Sequence, residues 1–172
     1  MMRITLLFST ILLLLALAPA TVAQDEPEWT GPTFELEALG GDTLNQDDVF
    51  TDGQLYLVDF WASWCRPCSQ YLPHLRDMVN DYGDRGLKVV IFCVDDAGSI
   101  STARTLLAGE EYPFTILFDP EAGVQDQLGV RRIPTTVFLS PTGEELWRHV
   151  GYEAGVEDDV REQIESFLPA EE

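Results

Sequence analysis

Two of the chain's three cysteines, Cys65 and Cys68, are separated by Arg66 and Pro67 and lie between an apolar run ending at Trp61 and a segment of helical periodicity. Exchange between thiols and disulfides needs a thiolate as nucleophile. A helix amino terminus stabilises one, because its unpaired N–H groups and the positive end of the helix dipole face the sulfur. Arg66 adds a positive charge beside the pair, and Pro67 costs a helix no hydrogen bond in its first turn. Two other uses of such a pair compete with exchange. A structural zinc site takes four protein ligands, usually with a second pair at motif spacing, and the remaining Cys93, His74 and His149 form no such motif. A purely structural disulfide across so short a loop removes little entropy from the unfolded chain. The spacing therefore favours redox exchange over both.

Hydrophobic spacing predicts the elements that would position the pair. Leu55 to Trp61 is a short apolar run interrupted by Asp59, the pattern of a buried central strand. From Arg66 to about Tyr82, the residues Leu72, Leu75, Met78 and Val79 recur at helical spacing, and Gly83 ends the pattern. Pro73 inside that helix would kink it. Leu87 to Val94 predicts a second buried strand, Ser99 to about Ala108 a helix, and Phe114 to Phe118 an extended segment. Thr135 to Leu139 and Glu145 to Val150 flank the turn residues Ser140, Pro141, Thr142 and Gly143, a hairpin signal. Phe34, Leu36, Leu39 and Leu44 around Gly40, Gly41 and Asp42 predict another near the amino terminus. Val160, Ile164, Phe167 and Leu168 share one face of a closing amphipathic helix that begins at Val156. The order of these elements predicts an α/β fold: a central mixed sheet flanked by helices, with an amino-terminal β-hairpin.

The stretch Val58-Asp59-Phe60-Trp61-Ala62-Ser63-Trp64-Cys65-Arg66-Pro67-Cys68 resembles the active-site segment of thioredoxins, and Ile133-Pro134-Thr135 resembles their cis-proline loop. The amino-terminal hairpin, the long spacing between those segments, and Ile116 to Asp119 followed by Gly129-Val130-Arg131 are similar to the TlpA and ResA type of exported thioredoxin-like proteins. The likeness runs from about Thr33 to Leu168. It implies a thioredoxin-like fold and the activity of a thiol-disulfide oxidoreductase. By this resemblance Cys65 is the exposed nucleophile, Cys68 is the more buried thiol that resolves the mixed disulfide, and the two form the redox disulfide. Asp59 matches the buried carboxylate of thioredoxins. Burial raises a carboxyl pKa, so this group would exchange the proton of Cys68 through a water. The resemblance also implies a cis bond between Ile133 and Pro134, with the Ile133 backbone left free to pair with a partner peptide. Trp64 would flank the pair as an exposed aromatic contact, and Arg66 and Pro67 would tune the thiolate. Two positions depart from the pattern. Tyr71 stands three residues after Cys68, where many ResA-like and TlpA-like proteins carry an acidic residue, and Asp59 stands where asparagine is frequent among them. Both departures weaken any transfer of the narrow substrate preference of cytochrome c maturation members.

Acidic residues outnumber basic ones by 30 to 10, for a formal net charge of -20. A surface this negative repels phosphate backbones and anionic lipid heads, which disfavours nucleic acid and direct membrane-surface binding. Arg3, the apolar run from Ile4 to Leu17 and the small residues through Ala20 and Ala23 follow the order of a secretory signal peptide, here residues 1–23. The run is shorter than the roughly 20 residues a membrane span needs, so an uncleaved membrane anchor is the weaker reading. The expected organisation is thus an exported chain, soluble after cleavage, with a flexible lead-in over 24–31, a thioredoxin-like domain over 32–168 and an acidic tail over 169–172. The expected partners are protein disulfides or dithiols, with a membrane thiol donor supplying electrons; no metal or other cofactor is required, and a monomer is expected. The leading function is reduction of disulfides in exported proteins, apocytochrome cysteines among them. A disulfide oxidase, or a non-catalytic chaperone or copper-handling module of the same fold, are the alternatives. Cys93 falls in a predicted buried strand and is read as core. His74 and His149, with no catalytic cluster around them, are read as surface or packing residues.

Overall fold

The computed structural model describes residues 28–169. The signal peptide expected over 1–23 lies outside the described residues, as do 24–27 and 170–172. The amino-terminal hairpin consists of β1 (Glu35–Ala38) and β2 (Thr43–Asn45), followed by a single helical turn, α1 (Gln46–Val49). The strand β3 (Leu55–Trp61) leads into the long helix α2 (Arg66–Tyr82), and β4 (Leu87–Cys93) into α3 (Ile100–Leu107). Then come β5 (Thr115–Phe118), the short α4 (Gly123–Gln127), the hairpin of β6 (Thr135–Leu139) and β7 (Glu145–Val150), and the closing helix α5 (Val156–Phe167). All seven strands join in one mixed sheet of order β2-β1-β5-β4-β3-β6-β7. This is the α/β architecture expected from the sequence.

Every residue of β3 is buried, because the strand has β4 parallel on one side, β6 antiparallel on the other, and both faces covered. Alternation then sorts its side chains. Leu57 and Trp61 pack with Leu72, Leu75 and Met78 of α2 and with Val160 and Ile164 of α5. Tyr56, Val58 and Phe60 pack on the opposite face with Val124 of α4 and with Val90 and Phe92 of β4. Each such large apolar side chain contributes about 1.5–3 kcal/mol on burial. Asp59 falls between Leu57 and Trp61 in this alternation, so it faces the α2 side of the sheet, inside the core.

Helices α1 and α4 were not expected from hydrophobic spacing. Each is too short to show a period, and side-chain caps hold each in place. Asn45 accepts from the N–H groups of Asp47 and Asp48 while Asp48 accepts from the Asn45 N–H, a reciprocal capping box. The buried Asp119 accepts from the N–H groups of Gly123, Val124 and Gln125 at 2.8–3.1 Å. Of the lead-in expected over 24–31, residues 28–31 are described. Trp29 stacks on Phe50 with ring centroids 4.6 Å apart, and Thr30 donates to the Thr142 carbonyl from both its N–H and its hydroxyl. The aromatic ring supplies the apolar contact that a purely polar segment lacks. At the other end, Arg85 holds the carbonyl of Pro169 at 3.0 Å.

Candidate active site

The site lies at one end of the sheet, where β3 runs out into α2. Cys65 caps α2: its Sγ accepts from the Cys68 N–H at 3.3 Å, with Pro67 in the first turn. The two cysteines are joined as a disulfide with Cα atoms 5.3 Å apart. Cys65 is 5% exposed and Cys68 1%, so both residues are buried; the expected exposed Cys65 is corrected to the less buried of the two, because both pack into the core cluster on the α2 side of the sheet. Trp64, directly before Cys65, is 67% exposed, and Arg66 is also exposed.

The register of β3 on β6 pairs Asp59 with Thr136, which carries the segment before β6 to the same end of the sheet as Cys65. The Ile133–Pro134 bond in that segment is cis, and the Pro134 carbonyl accepts from the Gly151 N–H at 2.8 Å. Ile133 packs against the core cluster that contains Cys65 and Cys68.

On the α2 side of the sheet, toward the same end of β3, lies a buried polar cluster. Asp59 is 1% exposed and accepts from the Thr136 hydroxyl at 2.9 Å. Loss of hydration pushes its carboxyl up to about 8, and the Thr136 hydrogen bond only partly opposes this. Tyr71, one turn along α2 from Cys68, is buried beside Thr136 and Asp59, and its hydroxyl makes no hydrogen bond among the described residues. Burial and the nearby Asp59 charge raise its pKa.

Sequence reasoning missed Asp95. This residue is fully buried just past β4 and accepts from the Ser63 N–H at 2.7 Å and from the Ser63 hydroxyl. It therefore fixes the loop two residues ahead of Cys65. It also accepts from the Cys93 thiol at 3.4 Å. The signal available was an acidic residue directly after a predicted buried apolar strand. Cys93 itself is fully buried in β4, and burial pushes its thiol up to about 12. His74 stacks loosely with Tyr71 and Tyr152, and His149 with Trp147; neither joins the cysteines. Among the described residues no group of three or more His, Cys, Asp or Glu side chains is arranged to hold a metal ion.

A mixed sheet that presents an exchangeable disulfide at a helix amino terminus defines the thioredoxin-like class of thiol-disulfide oxidoreductases. The chain belongs to the AhpC/TSA family, whose pattern it matches over residues 29–144. It is 30% identical over 120 residues to the thioredoxin-like protein YneN of Bacillus subtilis, covering 70% of this chain and 69% of that one. It is 26% identical over 117 residues to the thiol-disulfide oxidoreductase ResA of Oceanobacillus iheyensis, covering 66% of this chain and 59%, less than two thirds, of that one. Among solved structures it is similar to a protein from Chlorobium tepidum assigned as the thiol:disulfide interchange protein DsbE, with a TM-score of 0.73 and 30% identity over 84% of this chain and 99% of that one. Fold, cysteine pair and relatives agree: the protein is an enzyme of thiol-disulfide exchange.

Proposed function

We propose that the protein is exported and reduces disulfides of other exported proteins, with Cys65 as nucleophile and Cys68 as resolving thiol. The observation that carries this reading is the Cys65 sulfur at the amino terminus of α2, where it accepts from the Cys68 N–H, in a residue slightly less buried than Cys68. In the reduced enzyme the Cys65 thiolate attacks one sulfur of a substrate disulfide, forming a mixed disulfide and expelling a substrate thiolate. The Cys68 thiolate then attacks Cys65 Sγ, closing the enzyme disulfide and expelling the second substrate thiolate. Two electrons pass to the substrate, and its two thiolates take up protons. A dithiol donor, in this reading a membrane thiol protein, must return the two electrons by the same exchange in reverse.

Asp59 supports the Cys68 step. A buried carboxyl on the α2 side of the sheet can take the Cys68 proton through a water as that thiol becomes nucleophilic. Once ionised, it disfavours a lasting thiolate nearby, which makes the pair a better reductant than oxidant. Trp64, Ile133 and Pro134 form the contact surface for the substrate, while Arg66 and Pro67 tune the thiolate. Export rests on the order of residues 1–23, and no helix among the described residues is long and apolar enough to cross a membrane. The working unit is the thioredoxin-like domain, acting as a monomer.

In the Cys68→Ala variant, attack by Cys65 proceeds but release does not, so mixed disulfides with partner proteins accumulate and dissolve on reduction. Absence of such complexes while the wild-type pair cycles would rule out protein disulfides as substrates. The reduction potential fixes the direction. A reductant should sit nearer the value of about −270 mV of thioredoxin than the value of about −120 mV of DsbA. A value at the oxidising end makes the protein a disulfide oxidase.

A further inference from the structure

The described residues contain nine Lys and Arg side chains, the ten of the chain less Arg3. Seven of them are neutralised by a carboxylate within 2.6–3.7 Å. Among the described residues the two without an ion pair are Arg66 and Arg132, both exposed. They do not lie at random. Arg66 stands between the two redox cysteines, and Arg132 directly precedes Ile133 and Pro134, at the same end of the β3–β6 pair. The Thr135 hydroxyl donates to the Arg132 carbonyl at 2.7 Å, which fixes the backbone there. The neighbouring Arg131 and Arg148 are committed to Asp126 and Glu145.

On a chain of net charge -20, surface cations tend to be neutralised by the surrounding carboxylates. Two that have no such partner among the described residues, one between the cysteines of the disulfide and one beside the cis-proline at the same end of the sheet, are placed to meet an anion that arrives with the substrate. The geometry points to a substrate class: disulfides whose cysteines are flanked by acidic side chains, recognised by Arg66 and Arg132. This rests on the reductase reading above. A substrate sulfur that reaches Cys65 brings its neighbouring residues to the end of the sheet that carries Arg66 and Arg132. Each guanidinium can take a carboxylate through two parallel N–H···O bonds. The rest of the surface repels an acidic partner, but that repulsion is screened beyond about 10 Å at moderate salt, whereas a pair in contact is screened less.

The test uses two synthetic peptides of identical composition and net charge, each with one internal disulfide. In one, glutamates directly flank a cysteine; in the other, they lie at the far termini and serines flank the cysteine. Full-length protein, reduced and freed of reductant, is mixed with each in a single turnover, and peptide thiols are counted with time. The flanked peptide should react faster by roughly three- to tenfold, the range that partly exposed ion pairs support. This ratio should shrink as salt is raised to about 0.5 M. In the double variant Arg66→Gln, Arg132→Gln it should fall to about one. Because the readout is a ratio, any change in Cys65 reactivity from losing Arg66 cancels. A wild-type ratio at or below one overturns the assignment, as does a preference that survives in the double variant or is indifferent to salt. If the reduced protein reduces neither peptide, the reductase reading fails and this inference falls with it, a result distinct from equal reaction with both.

Discussion

Asp59 is a carboxyl held in the core with a single hydrogen bond among the described residues, and its cost to stability depends on pH. Its folded pKa, about 8, lies above the ordinary 3.8. Between those values the native state holds a proton that the unfolded chain has released, so stability falls as pH rises through this window and levels off above it. Asp59→Asn keeps an oxygen for the Thr136 hydroxyl and removes the titration. The variant should match wild type near pH 4 and exceed it at pH 8 by an amount on the order of a few kcal/mol. Urea unfolding of the oxidised forms at both pH values checks this, and a pH-independent difference would refute the raised carboxyl. The same variant should slow exchange and flatten its dependence between pH 5 and 9. Asp95 acts in the opposite sense. Asp95→Ala leaves the half-buried Ser63 N–H and the buried Cys93 thiol without their acceptor, which should cost about 1–3 kcal/mol and slow reduction of a model disulfide. A variant with wild-type stability and rate would show that Ser63 needs no such anchor. Asp59 was legible in the sequence because its place in the Val58-to-Cys68 segment matches the buried carboxylate of thioredoxins and its apolar neighbours Val58 and Phe60 favour burial. Asp95 was passed over because its partner, Ser63, lies 32 residues away and only the fold brings them together.

At the scale of elements, legibility followed length. The strands β3 and β4 and the helices α2 and α5 were read to within a residue or two, since a seven-residue run that is almost wholly apolar, or several helical turns with one apolar face, leave few other arrangements. The single turns α1 and α4 carry no period, and their cause is a side chain just outside the helix. For α4 that side chain is Asp119, whose two oxygens take three N–H groups. Asp119→Ala should lose roughly 1–2 kcal/mol of stability, with faster amide exchange at residues 123–125 and little change around α2. Hydrogen exchange by mass spectrometry separates this local outcome from general loosening, which would contradict a capping role. The end of the sheet that gathers Cys65, Ile133 and Gly151 follows from the register of β3 on β6 and of β6 on β7. Pairing order of that kind is set by long-range packing, which a pass along the chain does not contain.

For the molecule as a whole, a charge of -20 on one small chain means that mutual repulsion among carboxylates opposes compaction. The seven ion pairs among the described residues offset little of it, because exposed pairs contribute about 0–1 kcal/mol each. Added salt screens both, and the repulsion is the larger sum. The melting temperature should therefore rise between about 0.02 and 0.5 M sodium chloride; a fall would show the ion pairs to dominate. Cys93 has its own whole-chain consequence. Three cysteines permit three pairings, Cys65–Cys68, Cys65–Cys93 and Cys68–Cys93, and a chain that oxidises and reduces repeatedly samples that choice at every turnover. With its sulfur sealed in β4, turned to Asp95 and held protonated at neutral pH, Cys93 withdraws from the contest. Each cycle returns to the same isomer, so the native fold acts as its own proofreader of disulfide connectivity.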